Sequence, residues 1–175
     1  YYPEEYEGRY NYWTHTDQSS QKKGVHCYQS FISLTNNVER SLLVYESSNL
    51  LHEDYFKTMN ITHNNDWNII DEYYIDDLYD LEKILHVKEG DLVIWDSRIF
   101  HQNLSGFKDT KEERLVQYLC YLPKNNEKND ETQTKMRAEC FKNLYNTNHW
   151  PYPMKSIPLQ PEYYNFYNPN DKIQI

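Results

Sequence analysis

The chain is 175 residues long, with 38% hydrophobic, 16% aromatic and 26% charged residues, a composition that excludes an intrinsically disordered chain and supplies about one domain's core. Eighteen Lys and Arg against 27 Asp and Glu leave a formal charge of −9, which disfavours a nucleic-acid partner because so acidic a surface repels a phosphate backbone. No apolar run approaches the roughly 20 residues that span a bilayer, no cationic and apolar leader opens the chain, and Cys27, Cys120 and Cys140 form no CxxC pair, so we expect a soluble intracellular, cytoplasmic protein without membrane span, disulfide framework or thiolate zinc site.

The first strand signal is Tyr12-Trp13-Thr14, followed by the loop formers Gln18-Ser19-Ser20. Val25 to Leu34 alternates, with Val25, Cys27, Gln29, Phe31 and Ser33 on one face and His26, Tyr28, Ser30, Ile32 and Leu34 on the other. Leu42 to Tyr45 is a short apolar run. Ser47-Ser48-Asn49 reads as a helix start. Tyr74, Leu78, Leu81 and Leu85 recur at helical steps behind Asp71-Glu72, which suit a first turn, so the spacing predicts a helix over 71–85. The turn Gly90-Asp91 leads into the apolar run Leu92 to Trp95, and Arg114 to Leu122 is a fourth strand. Thr132 to Asn146 places Met136, Cys140 and Leu144 on one helical stripe with Phe141 beside them. From Pro151 to Ile175 the prolines preclude long helices and central strands, and the segment is expected to wrap an outer face. Short strands with helices between and after them predict a mainly β fold, a jelly roll with helical insertions, in one domain over residues 1–175.

Two of the seven histidines stand in a His-x-Asp spacing, His15-Thr16-Asp17 and His52-Glu53-Asp54; chance alone supplies about half of one such triplet at this composition, so geometry must choose between them. On a strand, residues i and i+2 share a face about 7 Å apart, whereas on a helix they diverge by about 200°. His52 and Asp54 fall on the predicted helical turn and are set aside as ligands. His15 and Asp17 sit where a strand opens into a loop. His101, just after the run Asp91 to Asp96 and the turn Ser97-Arg98, can supply a third ligand. Two imidazoles and one carboxylate form the facial triad of non-haem Fe(II), which leaves coordination positions open for a co-substrate and O2. The plainer alternative is a surface His15 and a satisfied strand-end His101. Arg114 shares a strand face with Val116, Tyr118 and Cys120, so an inward guanidinium would need a partner, and a planar fork suits the far carboxylate of 2-oxoglutarate. The alternative for Arg114 is a surface pair with Glu112 or Glu113.

The stretches Trp13 to Gln18, Val25 to Ser30, Val44 to Ser48 through His52 to Phe56, and above all Gly90 to His101, resemble the phytanoyl-CoA dioxygenase-like family of Fe(II)/2-oxoglutarate oxygenases. The resemblance runs from about Trp13 to Leu122, with a looser echo in His149-Trp150-Pro151. It implies a double-stranded β-helix, cupin-like, in which His15, Asp17 and His101 hold iron and act as the catalytic centre and Arg114 holds the distal carboxylate of 2-oxoglutarate. Asn103 matches a position that often contacts the co-substrate, and Gln29 is a further candidate for that pocket. Trp13 and Trp95 would line the substrate cavity or belong to the core. The implied reaction is O2-dependent hydroxylation of a C–H bond in a small molecule or peptide side chain, releasing succinate and CO2. The rivals are an inactive barrel serving as an interaction or structural module of a larger assembly, and the same pocket holding zinc or manganese. Two positions depart from the family pattern: Arg40-Ser41 stands where a Gly pair is common, and Ser47 where the next turn usually has Gly. Only 14 residues precede His15, so we expect a domain lacking an upstream part.

Overall fold

A computed structural model describes residues 12–107, 109–143, 145–148 and 150–157, and the chain divides into two compact units, Tyr1–Tyr121 and Leu122–Ile175. The first unit holds β1 (His15–Thr16), β2 (Tyr28–Ser33), β3 (Leu42–Tyr45), α1 (His52–Thr58), β4 (Asn68–Ile69), α2 (Glu72–Asp76), β5 (Glu82–Ile84), β6 (Leu92–Asp96), β7 (His101–Asn103) and β8 (Val116–Tyr121). It is mainly β. The strands form a five-stranded sheet in the order β4-β1-β7-β3-β5 and a three-stranded sheet in the order β6-β2-β8, and every described pairing is antiparallel. The chain passes repeatedly from one sheet to the other: β1, β3 and β7 belong to the larger, β2, β6 and β8 to the smaller.

Hydrophobic patterning explains which faces close. In β2 the residues opposite one another across the ladder, Gln29 with Trp95 and Cys120, and Phe31 with Val93 and Tyr118, share the inner face. Phe31 is fully buried, while Tyr28 on the outer face is 46% exposed. Phe31 and Trp95 meet Leu42 of β3 and Val87 in one cluster, which joins the two sheets; burying a side chain of this size stabilises by about 1.5–3 kcal/mol. Leu42 to Tyr45 does not alternate because both of its faces are covered. Leu42 faces that cluster, and Leu43 and Tyr45 face a second one built with Tyr55, Phe56, Ile70, Ile75, Phe100 and Leu104. Aromatic edges dominate this second cluster, with Tyr55 meeting Phe56, Tyr74 and Phe100 at ring centroid distances of 5.3, 4.7 and 5.6 Å.

The helix predicted over 71–85 is a correction. Asp71 caps α2, its carboxylate accepting the Tyr74 N–H at 3.2 Å, but α2 ends at Asp76 and a 3-10 turn follows over Tyr79–Leu81. The chain then pairs with β3, with Leu43 opposite Ile84 and Tyr45 opposite Glu82. Leu78 and Leu81 still reach the second cluster, so the apolar spacing is satisfied by a bent path. The ladder on β3 outweighs helical propensity.

In the second unit α3 (Glu131–Lys142) is capped by Asp130, whose carboxylate accepts the Gln133 N–H at 2.8 Å. The predicted helix thus stops before Asn146, where β9 (Asn146–Thr147) pairs antiparallel with β10 (Ser156–Ile157). Cys140 is buried and Met136 half-buried as the stripe requires, but Phe141 is 85% exposed. The Gln133 side-chain oxygen accepts the Met154 N–H at 3.1 Å, tying α3 to the hairpin. Leu144, His149 and residues 158–175 lie outside the described residues, and with them most of the expected outer wrap. Among the described residues no helix is long and apolar enough to cross a membrane.

Candidate metal centre

Strand β1 lies between β4 and β7, and His15 is directly opposite His101. One strand pairing therefore sets two imidazoles side by side, and the period of two puts the Asp17 side chain on the His15 face. The opposite side of this segment is fixed by buried polar groups. Thr14 Oγ1 donates to Gln102 Oε1 at 2.8 Å, Thr16 Oγ1 to the Ser97 carbonyl at 3.2 Å, and Ser97 Oγ to Gln18 Oε1 at 2.8 Å. Gln18 Nε2 in turn donates to the Lys22 and Gly24 carbonyls at 2.9 and 2.8 Å. Side chains thus pin the backbone around His15-Thr16-Asp17 from 14 to 18.

His15, Asp17 and His101 are all buried, at 5, 5 and 4% exposure, and their candidate ligand atoms lie within 4.8 Å of one another. His15 Nε2 stands 3.8 Å from Asp17 Oδ1, and His101 Nε2 stands 3.5 Å from Asp17 Oδ2. Both separations exceed a good hydrogen bond. An ion with bonds of about 2.1 Å puts cis ligands about 3 Å and trans ligands about 4.2 Å apart, and both His–Asp separations, 3.8 and 3.5 Å, fall between those limits. The tautomers agree with that use. His15 Nδ1 lies 3.0 Å from the Trp13 carbonyl and His101 Nδ1 lies 2.9 Å from the Ile99 carbonyl. A carbonyl only accepts, so each Nδ1 carries a proton and each ring turns its Nε2, the atom a metal would take, toward Asp17. Two neutral imidazoles and a carboxylate are a donor set that fits a divalent transition metal.

Aromatic rings wall the cluster. Trp13 stacks on His15 at 4.9 Å, Trp67 meets the same ring at 5.6 Å, and Trp95 meets His101 at 5.6 Å. Trp95 also belongs to the core cluster between the sheets, as the core reading of that residue has it. Gln29 reaches the centre through Asp17, its Nε2 donating to Oδ2 at 3.0 Å, while its Oε1 accepts the Trp95 indole N–H at 3.1 Å.

Arg114 precedes β8, is half-buried, and its guanidinium lies over the Phe31 ring at 5.1 Å. Nη1 and Nη2 donate to the Tyr118 hydroxyl at 3.3 and 3.4 Å, and Asn103 Nδ2 donates to the same oxygen at 3.4 Å. Arg114 Nε and Asn103 Oδ1 are buried without a hydrogen-bond partner. Glu112, one of the two alternative partners for Arg114, is committed elsewhere: its carboxylate accepts the backbone N–H groups of Val38, Glu39 and Arg40 at 3.1, 3.1 and 2.9 Å. Phe31 is 6.0 Å from Trp95, so Arg114, Phe31, Trp95 and His101 form a continuous line of contacts.

His52 opens α1 and is fully buried, its Nε2 3.0 Å from the Gln18 carbonyl, with burial holding its pKa below the usual histidine range. It serves the second cluster against Phe56 and takes no part in the centre. Trp67 and Tyr118 are the site residues that spacing arguments omit. Tyr118 carried a signal, since it shares the inner face with Arg114 in the sequence pattern. Trp67 carried none: its segment is tied to residues after Asp17 by Lys22 Nζ on Asp66 at 2.6 Å and Ser19 Oγ on Asn64 at 3.0 Å. Nothing among known protein families, curated proteins or solved structures matches this chain.

Proposed function

We propose that the chain is a double-stranded β-helix oxygenase domain dependent on Fe(II) and 2-oxoglutarate, hydroxylating a C–H bond of a small molecule or peptide side chain. The observation that carries this reading is the buried His15-Asp17-His101 cluster with both Nδ1 atoms committed to carbonyls. The repeated passage of the chain between two antiparallel sheets supports the jelly-roll part of it.

In this reading His15, Asp17 and His101 hold the metal. Fe(II), with 2-oxoglutarate and O2 as co-substrates, would supply the oxidising power, the 2-oxoglutarate being converted to succinate and CO2. Arg114 anchors the distal carboxylate. Three N–H groups converge on the single Tyr118 hydroxyl, whose oxygen has two lone pairs, whereas a carboxylate offers about four acceptor sites and suits a guanidinium fork. Trp13 and Trp95 flank the imidazoles and would limit the access of water to them.

Anaerobic titration of the full chain with Fe(II) and 2-oxoglutarate tests the proposal. A metal-to-ligand charge-transfer band that needs both components is expected. His101→Ala should abolish it, and Arg114→Ala should raise the 2-oxoglutarate concentration at half-saturation at least about tenfold, the loss of a charge-assisted bidentate pair. Absence of the band in the unaltered chain, or undiminished succinate production by the His101 variant, would overturn the reading.

A further inference from the structure

We propose that Gln29 is a positioning residue for Asp17 and, together with Trp95, holds that carboxylate in one orientation. The inference rests on the metal-centre reading above and concerns a residue expected from the sequence to face the co-substrate. Gln29 is 3% exposed and Trp95 8%, so neither side chain exchanges its partners for water.

The orientation of the amide is determined by chemistry. An indole N–H is a donor only, so the group facing Trp95 Nε1 at 3.1 Å must be the amide oxygen. A carboxylate is an acceptor only, so the group facing Asp17 Oδ2 at 3.0 Å must be the amide nitrogen. Flipping the amide would set donor against donor at one end and acceptor against acceptor at the other. Trp95 therefore fixes Gln29, and Gln29 fixes Asp17. The bond also links the two sheets at the metal centre, since Gln29 lies on β2 and Asp17 follows β1.

The consequence lies in how the carboxylate can bind. A buried hydrogen bond to Oδ2 resists rotation of the carboxylate, so an ion between the two imidazoles would meet it in a single orientation. A glutamate at position 29 would instead face Asp17 with like charge.

The test uses the full chain and two ions, Mn(II), followed by the electron paramagnetic resonance of unbound ion, and Co(II), followed by its d–d absorption. Gln29→Met keeps the side chain's length and removes the donor. It should weaken Mn(II) binding about 10- to 100-fold, as loss of groups that orient ligands typically does, and alter the Co(II) spectrum while the thermal transition of the metal-free chain is retained. Trp95→Phe removes the indole N–H and should change the Co(II) spectrum in the same direction with a smaller loss of affinity; it carries the test if Gln29→Met does not fold. Variants that bind Mn(II) within about twofold of the unaltered chain, with an unchanged Co(II) spectrum, overturn the positioning role alone. An unaltered chain that binds neither ion overturns the metal centre and this inference with it.

Discussion

Ser47 sits at φ 62° and ψ 6°, the left-handed region that a Cβ disfavours by about 1–2 kcal/mol. Its hydroxyl makes no capping bond, so the position asks only for backbone freedom, and the resemblance had placed a glycine there. The turn matters to the centre because the next residue, Ser48, accepts the Phe100 N–H on its Oγ at 2.8 Å, immediately before His101. Ser47→Gly should relieve the strain while giving the unfolded chain entropy worth about 0.4–1 kcal/mol. The expected net gain is about 0.5–1 kcal/mol, read as a raised urea midpoint with an unchanged slope. A midpoint that falls would mean that the serine side chain holds the turn through contacts outweighing its strain.

Between β2 and β3 the chain turns around one carboxylate. Burial alone would raise the pKa of Glu112, but the N–H groups of Arg40, Glu39 and Val38, with the Asn37 amide, outweigh it and hold the group below the usual carboxylate range. A lowered pKa in the fold means that the unfolded chain takes up the proton first. The stabilisation is therefore present above the ordinary glutamate value of about 4.5 and is lost as pH falls through the lower folded value. Glu112→Gln should cost about 1–2 kcal/mol at neutral pH and flatten the acid limb of a stability–pH curve measured by urea unfolding; an equally steep limb would assign that slope to other carboxylates. This clasp was not legible in the sequence, where Glu112 figured only as a neighbour of Arg114, because backbone N–H groups leave no mark on composition. What was legible followed the period of two. The faces of β2 and the His15/Asp17 pair come from alternation, which a strand enforces residue by residue, while Leu42 to Tyr45 showed itself as an unbroken apolar run, the mark of a strand covered on both faces. The 71–85 segment misled because leucines spaced by three and four can reach one cluster along a helix or along a short helix, a 3-10 turn and a strand. Trp67 depended on Lys22, Asp66, Ser19 and Asn64 meeting across a loop, which no periodicity encodes.

At the scale of the molecule, the candidate centre joins β1 to β7, and nothing but folding brings His15 to His101. An ion held there binds the native state and not the unfolded chain, so it should stabilise by about 2.7 kcal/mol at a hundredfold excess over Kd. For a chain of this length that corresponds to a thermal midpoint raised by about 5–11 °C. The formal charge of −9 complicates the measurement, because any divalent cation relieves self-repulsion of an acidic surface. Mg(II) separates the two effects. It prefers oxygen ligands and gains little from two imidazoles, whereas Mn(II) and Co(II) accept both donor types, with Co(II) the tighter. Specific ligation predicts midpoint shifts in the order Co(II) above Mn(II) above Mg(II), reversed by chelator, and reduced to the Mg(II) level in a His15→Ala/His101→Ala variant. Charge relief alone predicts equal shifts for the three ions in both chains, and that equality in differential scanning calorimetry would leave the cluster a buried polar contact between neighbouring strands.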